Sequence, residues 1–141
     1  MSTDAEIRAV AERRFAEHRD REKYSPLGGM MLDSLDEGYR AMEKLLMLWK
    51  GRGPVGGYKI ALTSKPIQEL CGVDQPCGGF VFRETIHPSG SELSLGDFNG
   101  LALEFELAVR IGKDIPAASA PFTAESVREY VAACHPAFEL I

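Results

Sequence analysis

The spacing of two glutamates is the feature of this sequence that points most directly to chemistry. Residues 101–111 alternate large apolar side chains with small or charged ones, and this period of two predicts a β-strand with Glu104 and Glu106 on one face. Two adjacent carboxylates repel each other unless a cation neutralises them, and their hard oxygen atoms suit magnesium, manganese or calcium. The alternative is a solvated polar strand face, which is the commoner meaning of such alternation.

Glu139 and Lys59 are two further candidates. Glu139 lies in an apolar run, 137–141, that predicts a strand after His135-Pro136. Taken alone, such a glutamate is usually a surface residue. Lys59 lies in a predicted strand, 58–62, that follows two glycines, and partial burial there would suit a role in acid–base chemistry. The alternative is a lysine whose ammonium group reaches solvent.

The elements that must position these residues begin with two predicted helices. Apolar residues at helical spacing predict a first helix from Asp4, capped by Asp4 or Thr3, and the run 25–29 marks a turn. A second helix is predicted from Ser34, where Ser34 and Glu37 fit a capping box. The run 51–54, rich in glycine and ending in proline, closes it.

After residue 54 the pattern becomes rich in glycine and in short strands. Thr63 and Ser64 are predicted to cap a short helix that starts near Lys65-Pro66, and residues 72–79 are predicted to form a turn-rich loop. Further strands are predicted at 80–82 and 92–95, and a helix at 123–133. The apolar end at Leu140-Ile141 predicts a fragment of a longer protein, or a strand that another chain completes.

Composition limits the class of protein. The 141 residues suffice for one domain, and 45% hydrophobic with 26% charged residues is ordinary globular composition. A net charge of −5 gives no reason to expect nucleic acid or an anionic membrane as partner. The three cysteines lack disulfide or zinc spacing. With no secretory signal or apolar span in the sequence, we expect a soluble cytoplasmic protein.

Three stretches resemble one enzyme family, in its order and with its spacing. They are GGYKIALTSKPIQELCGVDQP (residues 56–76), LEFELAVRIGKDI (103–115) and HPAFELI (135–141). They are similar to motifs of the 2-keto-4-pentenoate hydratases and of the related oxoheptenedioate hydratases and 4-oxalocrotonate decarboxylases, within the fumarylacetoacetate hydrolase superfamily. The departures are Ala61 in place of a glycine, and Cys77-Gly78-Gly79 where many relatives carry an acidic and an aromatic residue.

The resemblance implies a Mg²⁺ or Mn²⁺ site formed by Glu104, Glu106 and Glu139. Lys59 would match the active-site lysine, which transfers a proton or holds the substrate carboxylate, and Asp74 would shape the pocket wall. The substrate would be a 2-oxo or 2-hydroxydienoate carboxylate bound through its 2-oxo and carboxylate oxygens. The metal would stabilise its enolate as a Lewis acid.

The fold expected is α+β, with an N-terminal helical section at 1–54. A β-rich catalytic region at 55–141 would resemble the first half of the family's sandwich or roll. The function expected is a hydratase of 2-hydroxy-2,4-dienoates in aromatic catabolism, acting as a homo-oligomer. The alternatives are decarboxylation, acylpyruvate hydrolysis, or a non-catalytic truncated or split module that needs a partner chain.

Overall fold

The computed structural model describes residues 1–30, 32–98 and 100–141, and it has the α+β composition that the sequence predicts. The α-helices within these residues are α1 (Asp4–Arg19), α2 (Leu35–Leu48), α3 (Lys65–Cys71) and α4 (Ala124–Arg128). The strands are β1 (Val55–Ala61), β2 (Cys77–Phe82), β3 (Leu103–Ile111) and β4 (Val131–Leu140). None of the helices in this part of the chain combines the length and apolar character needed to cross a membrane.

The chain divides into two compact units, Met1–Glu92 and Leu93–Ile141. The first contains α1, α2, α3 and the antiparallel pair β1–β2, and the second contains α4 and the antiparallel pair β3–β4. The predicted assignment of a helical section to residues 1–54 and of a catalytic region to residues 55–141 stays a prediction.

The helices begin where hydroxyl side chains cap them. Thr3 and Glu6 form a reciprocal capping box at α1, since the Thr3 hydroxyl accepts from the Glu6 backbone and the Glu6 carboxylate accepts from the Thr3 backbone. At α2 the Ser34 hydroxyl accepts from the Glu37 amide at 3.3 Å. The predicted return bond to the Ser34 backbone is wrong, because the Glu37 carboxylate instead accepts from the Asp33 amide at 2.7 Å.

A small core joins α1 to α2. Ile7 and Val10 of α1 pack with Ala41 of α2, and the loop between the helices adds Leu27, Met30 and Leu32. A second, aromatic cluster links α2 to β2. Trp49 lies edge-on to Phe80 and Phe82, with ring centroids 6.1 and 5.9 Å away, an arrangement that aromatic quadrupoles favour. These two clusters hold the buried apolar residues Ile7, Val10, Ala41 and Phe82 of the first unit.

Glu17 fastens the loop after α1 to the helix. Its buried carboxylate accepts hydrogen bonds from the hydroxyl and the amide of Ser25, and it pairs with Arg13 and Arg14. These donors stabilise the ionised form, the Ser25 hydroxyl most of all, and lower the pKa of Glu17 to about 2. The buried charge is therefore satisfied on several sides.

The β1–β2 pair confirms both predicted strands, with different bounds. β2 begins at Cys77, inside the predicted loop, because Ala61 at the end of β1 pairs with it. Ser64 lies at the N-cap of α3 as predicted, but its side chain makes no capping hydrogen bond. Gly56 lies against the backbone of Arg83, where an added Cβ would come within 2.6 Å of the Arg83 Cα.

The second unit confirms the alternating strand and corrects its neighbours. β3 occupies Leu103–Ile111, which lies within the predicted strand 101–111 and begins two residues later. The helix predicted at 123–133 is wrong beyond Arg128, because Val131 already pairs with Ile111 in the β3–β4 ladder. The strand predicted at 92–95 is also wrong, since Leu95–Asp97 forms a single 3₁₀ turn. The ladder extends to Ala102 and Ile141, whose backbones exchange hydrogen bonds of 2.9 and 3.0 Å.

Candidate metal centre

The β3–β4 ladder brings the three predicted metal ligands together. Glu104 and Glu139 are directly opposite each other in the register, and Glu106 is the next residue along β3 on the same face. One carboxylate oxygen from each of the three lies within 4.8 Å of the others. Glu104 and Glu106 are exposed, whereas Glu139 is half-buried. The register of β4 against β3 completes this cluster. The sequence alone could not provide that register.

The donor set fits a divalent cation. Like charges directly opposite in a ladder destabilise it, so three carboxylates this close favour a positive charge between them. All the donors are carboxylate oxygens, which are the ligands that Mg²⁺ and Mn²⁺ prefer. A solvated acidic face would have the same composition, and the two roles differ in one measurable respect, namely whether the cluster binds a cation selectively.

The carboxylate face of the ladder continues beyond Glu106. Its next rows pair Glu106 with Ala137, Ala108 with His135, and Arg110 with Ala133. Sequence reasoning did not include His135 or Arg110 among the site residues. The period of two along β3 places Arg110 on the face of Glu106, so that signal was present, whereas the placement of His135 requires the register.

The opposite face of the same ladder is apolar. Phe105 and Phe138 are opposite each other with their ring centroids 5.2 Å apart. Leu103, Leu107, Val109 and Ile111 continue this face, and all four are exposed. The alternation therefore separates one charged surface from one apolar surface, as the sequence pattern predicts for a two-sided strand pair.

Lys59 lies in the first unit, on β1. It is half-buried, whereas its neighbours Tyr58 and Ile60 are exposed, so the side chains of β1 alternate in their exposure. Its register partner is Gly79, and a Cβ at that glycine would lie 3.4 Å from the Lys59 Cγ. The methylene groups of Lys59 therefore pack beside the backbone of Gly79, which has no side chain to displace them.

A strained turn ends the strand that carries Lys59. Leu62 has a φ of 58°, a left-handed conformation that costs a non-glycine residue roughly 1–2 kcal/mol. Its carbonyl accepts a 2.7 Å hydrogen bond from the side-chain amide of Gln68 on α3, which is only 3% exposed. The Oε1 atom of Gln68 has no hydrogen-bond partner among the described residues. Sequence reasoning did not single out either residue.

Asp74 lies in the turn between α3 and β2. It lines a cleft of about 640 Å³ together with residues 32–35, at the start of α2, and its own neighbours Gly72, Val73 and Gln75. Its backbone carbonyl accepts a hydrogen bond of 3.0 Å from the Lys65 ammonium group, which fixes the turn. The predicted role of Asp74 in a pocket wall is compatible with this position, and its contact with substrate stays a prediction.

Part of the chain is similar to a known hydratase. No protein-family model matches the chain. A hydratase from Pseudomonas putida strain F1, described as the TodF product hydratase, is 37% identical over 59 residues. The match covers 42% of this chain and 22% of that protein. At this coverage the similarity supports a link to a hydratase family and leaves the subfamily open.

Proposed function

We propose that this chain carries the metal-binding and lysine elements of a hydro-lyase of aromatic catabolism. The reaction adds water to a 2-hydroxy-2,4-dienoate of the 2-keto-4-pentenoate type. The observation that carries the proposal is the convergence of Glu104, Glu106 and Glu139 to within 4.8 Å on one sheet face. The partial similarity to a hydratase supports the reaction class.

In this proposal the three glutamates hold Mg²⁺ or Mn²⁺. When bound, the cation supplies Lewis acidity, which stabilises the negative charge that a 2-oxo acid develops on tautomerisation. The ladder fixes Glu104 opposite Glu139, so the two carboxylates are positioned before any ligand arrives. Such preorganisation lowers the cost of assembling the site.

In this scheme Lys59, which lies in the first unit, is the active-site lysine. Its half-buried position and its contact with Gly79 limit where its ammonium group can reach. A lysine can hold a substrate carboxylate as a point charge or transfer a proton to a carbon atom. A Lys59→Arg variant separates these roles, since arginine keeps the charge but does not lose its proton. Asp74 is proposed to form part of the substrate pocket wall.

A turnover assay tests the proposal. The purified chain is incubated with Mn²⁺ and 2-hydroxypenta-2,4-dienoate, and loss of the conjugated absorbance is followed together with formation of the 4-hydroxy-2-oxo acid. We expect turnover by the wild type and a loss of at least about a hundredfold in Lys59→Met, within the range that acid–base groups contribute. Release of carbon dioxide from 4-oxalocrotonate alone would replace the hydratase by a decarboxylase.

A second candidate is a non-catalytic module that needs a partner chain. The exposed apolar face of the β3–β4 ladder favours it, because contiguous apolar surface of this kind commonly marks an interaction site. Selective Mn²⁺ binding without turnover of any dienoate or 2-oxo acid would support this candidate over the hydro-lyase.

A further inference from the structure

The carboxylate face of the β3–β4 ladder has a second, differently charged end. Beyond Glu106 the face is formed by three alanines, Ala108, Ala133 and Ala137, together with His135 and Arg110. Alanine side chains leave a low surface between larger neighbours. A ligand that is anchored at the glutamates can therefore lie along the strands over these alanines, with His135 as the large side chain of the middle row.

The distance along the strand suits a small extended molecule. Arg110 is four positions beyond Glu106 on β3, which is about 13 Å between their Cα atoms at the rise of a β-strand. The row of Ala108 and His135 lies halfway. Glutamate and arginine side chains are long and flexible, so their charged groups can approach each other more closely than their Cα atoms do. A ligand with one anionic end at the glutamate cluster would thus bring its far end close to His135 and Arg110.

The charge of Arg110 is available to such a ligand. Among the described residues no carboxylate forms an ion pair with Arg110. Lys113, three residues further along, is by contrast engaged by Glu129 at 2.6 Å. A guanidinium binds a carboxylate through two parallel N–H bonds, which makes Arg110 suited to recognise a carboxylate end.

A bulge fixes the backbone at Arg110. The register shifts between Arg110 and Ile111, which leaves Ala132 as the extra residue of β4. Gly112 packs closely against this bulge. Its amide donates to the Tyr130 carbonyl at 2.8 Å, and a Cβ at Gly112 would lie 2.9 Å from the Ala132 Cβ. Bulges of this kind re-aim side chains and occur next to active sites.

We propose that Arg110 and His135 form a subsite for a second anionic group of the substrate. The substrate would then be a 2-oxo dicarboxylate, with its 2-oxo acid end at the glutamates and its distal carboxylate at the Arg110 guanidinium and a His135 ring N–H. This inference rests on the proposed function, since it requires the glutamate cluster to bind the 2-oxo acid end through its cation.

Calorimetric titration with two matched ligands tests the subsite. The full chain, loaded with Mn²⁺, is titrated with 2-oxoadipate and with 2-oxohexanoate, which has the same carbon chain but lacks the distal carboxylate. We expect wild type to bind the dicarboxylate at least about tenfold more tightly, as a charge-assisted hydrogen bond provides. Arg110→Gln should abolish this preference and leave the affinity for 2-oxohexanoate unchanged. His135→Phe should reduce the preference about threefold.

Arg128→Gln is the control, because it removes the same charge from α4 outside the carboxylate face, and it should keep the wild-type preference. Equal affinity of wild type for both ligands would overturn the subsite alone. An equal loss for both ligands in Arg110→Gln would do the same. If wild type bound Mn²⁺ and neither 2-oxo acid, the proposed function and the subsite would both fall.

Discussion

The units Met1–Glu92 and Leu93–Ile141 differ in where they place their side chains. The first buries apolar residues such as Ile7 and Phe82, and also polar ones such as Glu17 and Gln68. In the second, none of the described residues is buried, although β3–β4 forms a continuous ladder. Two-stranded ladders are marginally stable by themselves. The unit that carries the candidate metal ligands therefore depends on its ladder and on what binds to it, more than on a core.

The largest expected change in the free energy of unfolding comes from a substitution in the core of the first unit. Ile7 is fully buried, so Ile7→Ala should reduce the free energy of unfolding by about 2–5 kcal/mol. Leu107→Ala is the counterpart in the second unit, where Leu107 is 64% exposed, and it should change stability by less than about 0.5 kcal/mol. Urea unfolding followed by circular dichroism measures both. Similar losses in the two variants would mean that the units do not differ in this way.

The next largest change in stability is expected at Gly56, with its neighbour Gly57 as the control. Gly56→Ala places a Cβ against the Arg83 backbone and should destabilise the chain by about 1–3 kcal/mol, the usual cost of overpacking. Gly57→Ala adds the same methyl group where nothing lies within 4 Å, and it should be close to neutral. The fluorescence of the single tryptophan, Trp49, reports unfolding of this unit. Equal effects of the two substitutions would contradict the close packing at Gly56.

A smaller, pH-dependent effect comes from the buried carboxylate of the first unit. The pKa of Glu17 is lowered from 4.5 to about 2 in the folded chain. Its ionised form therefore adds stability above pH 4.5, and this contribution is lost as the pH falls towards 2. Glu17→Gln should be less stable than wild type at neutral pH, and the difference should shrink between pH 4.5 and 2. Urea midpoints across that range measure it, and a constant difference would argue against the Ser25 and arginine network.

Local patterns sufficed to predict the first three helices and the strand that carries the glutamate pair. The caps at Thr3 and Ser34 and the alternation through residues 103–111 are short-range signals, and the structure confirms all three. The helix predicted at 123–133 fails because pairing with β3 extends β4 back to Val131. Hydroxyl and apolar spacing there favours a helix locally, and the partner strand decides the outcome.

Local sequence patterns predict only part of the candidate site as well. The period of two places Glu104, Glu106 and Arg110 on one face without any knowledge of the fold. Opposing Glu139 to Glu104 and His135 to Ala108 requires the register, which depends on contacts between residues more than twenty positions apart. The turn at Leu62 lay beyond sequence reasoning, because a leucine gives no signal for a positive φ and its stabilising partner is a side chain of α3.

Calorimetric titration with Mn²⁺ tests the central claim most directly. Wild type is compared with Glu104→Gln/Glu106→Gln, and with Asp114→Asn/Glu125→Gln, which removes two negative charges elsewhere in the same unit. We predict one Mn²⁺ per chain in wild type and in the second variant, and no binding in the first. In thermal melts, Mn²⁺ at a hundred times its dissociation constant should add about 2.7 kcal/mol of stability to wild type and to the second variant, and none to the first. Equal Mn²⁺ affinity in all three proteins would contradict the metal centre and leave the glutamates as a solvated strand face.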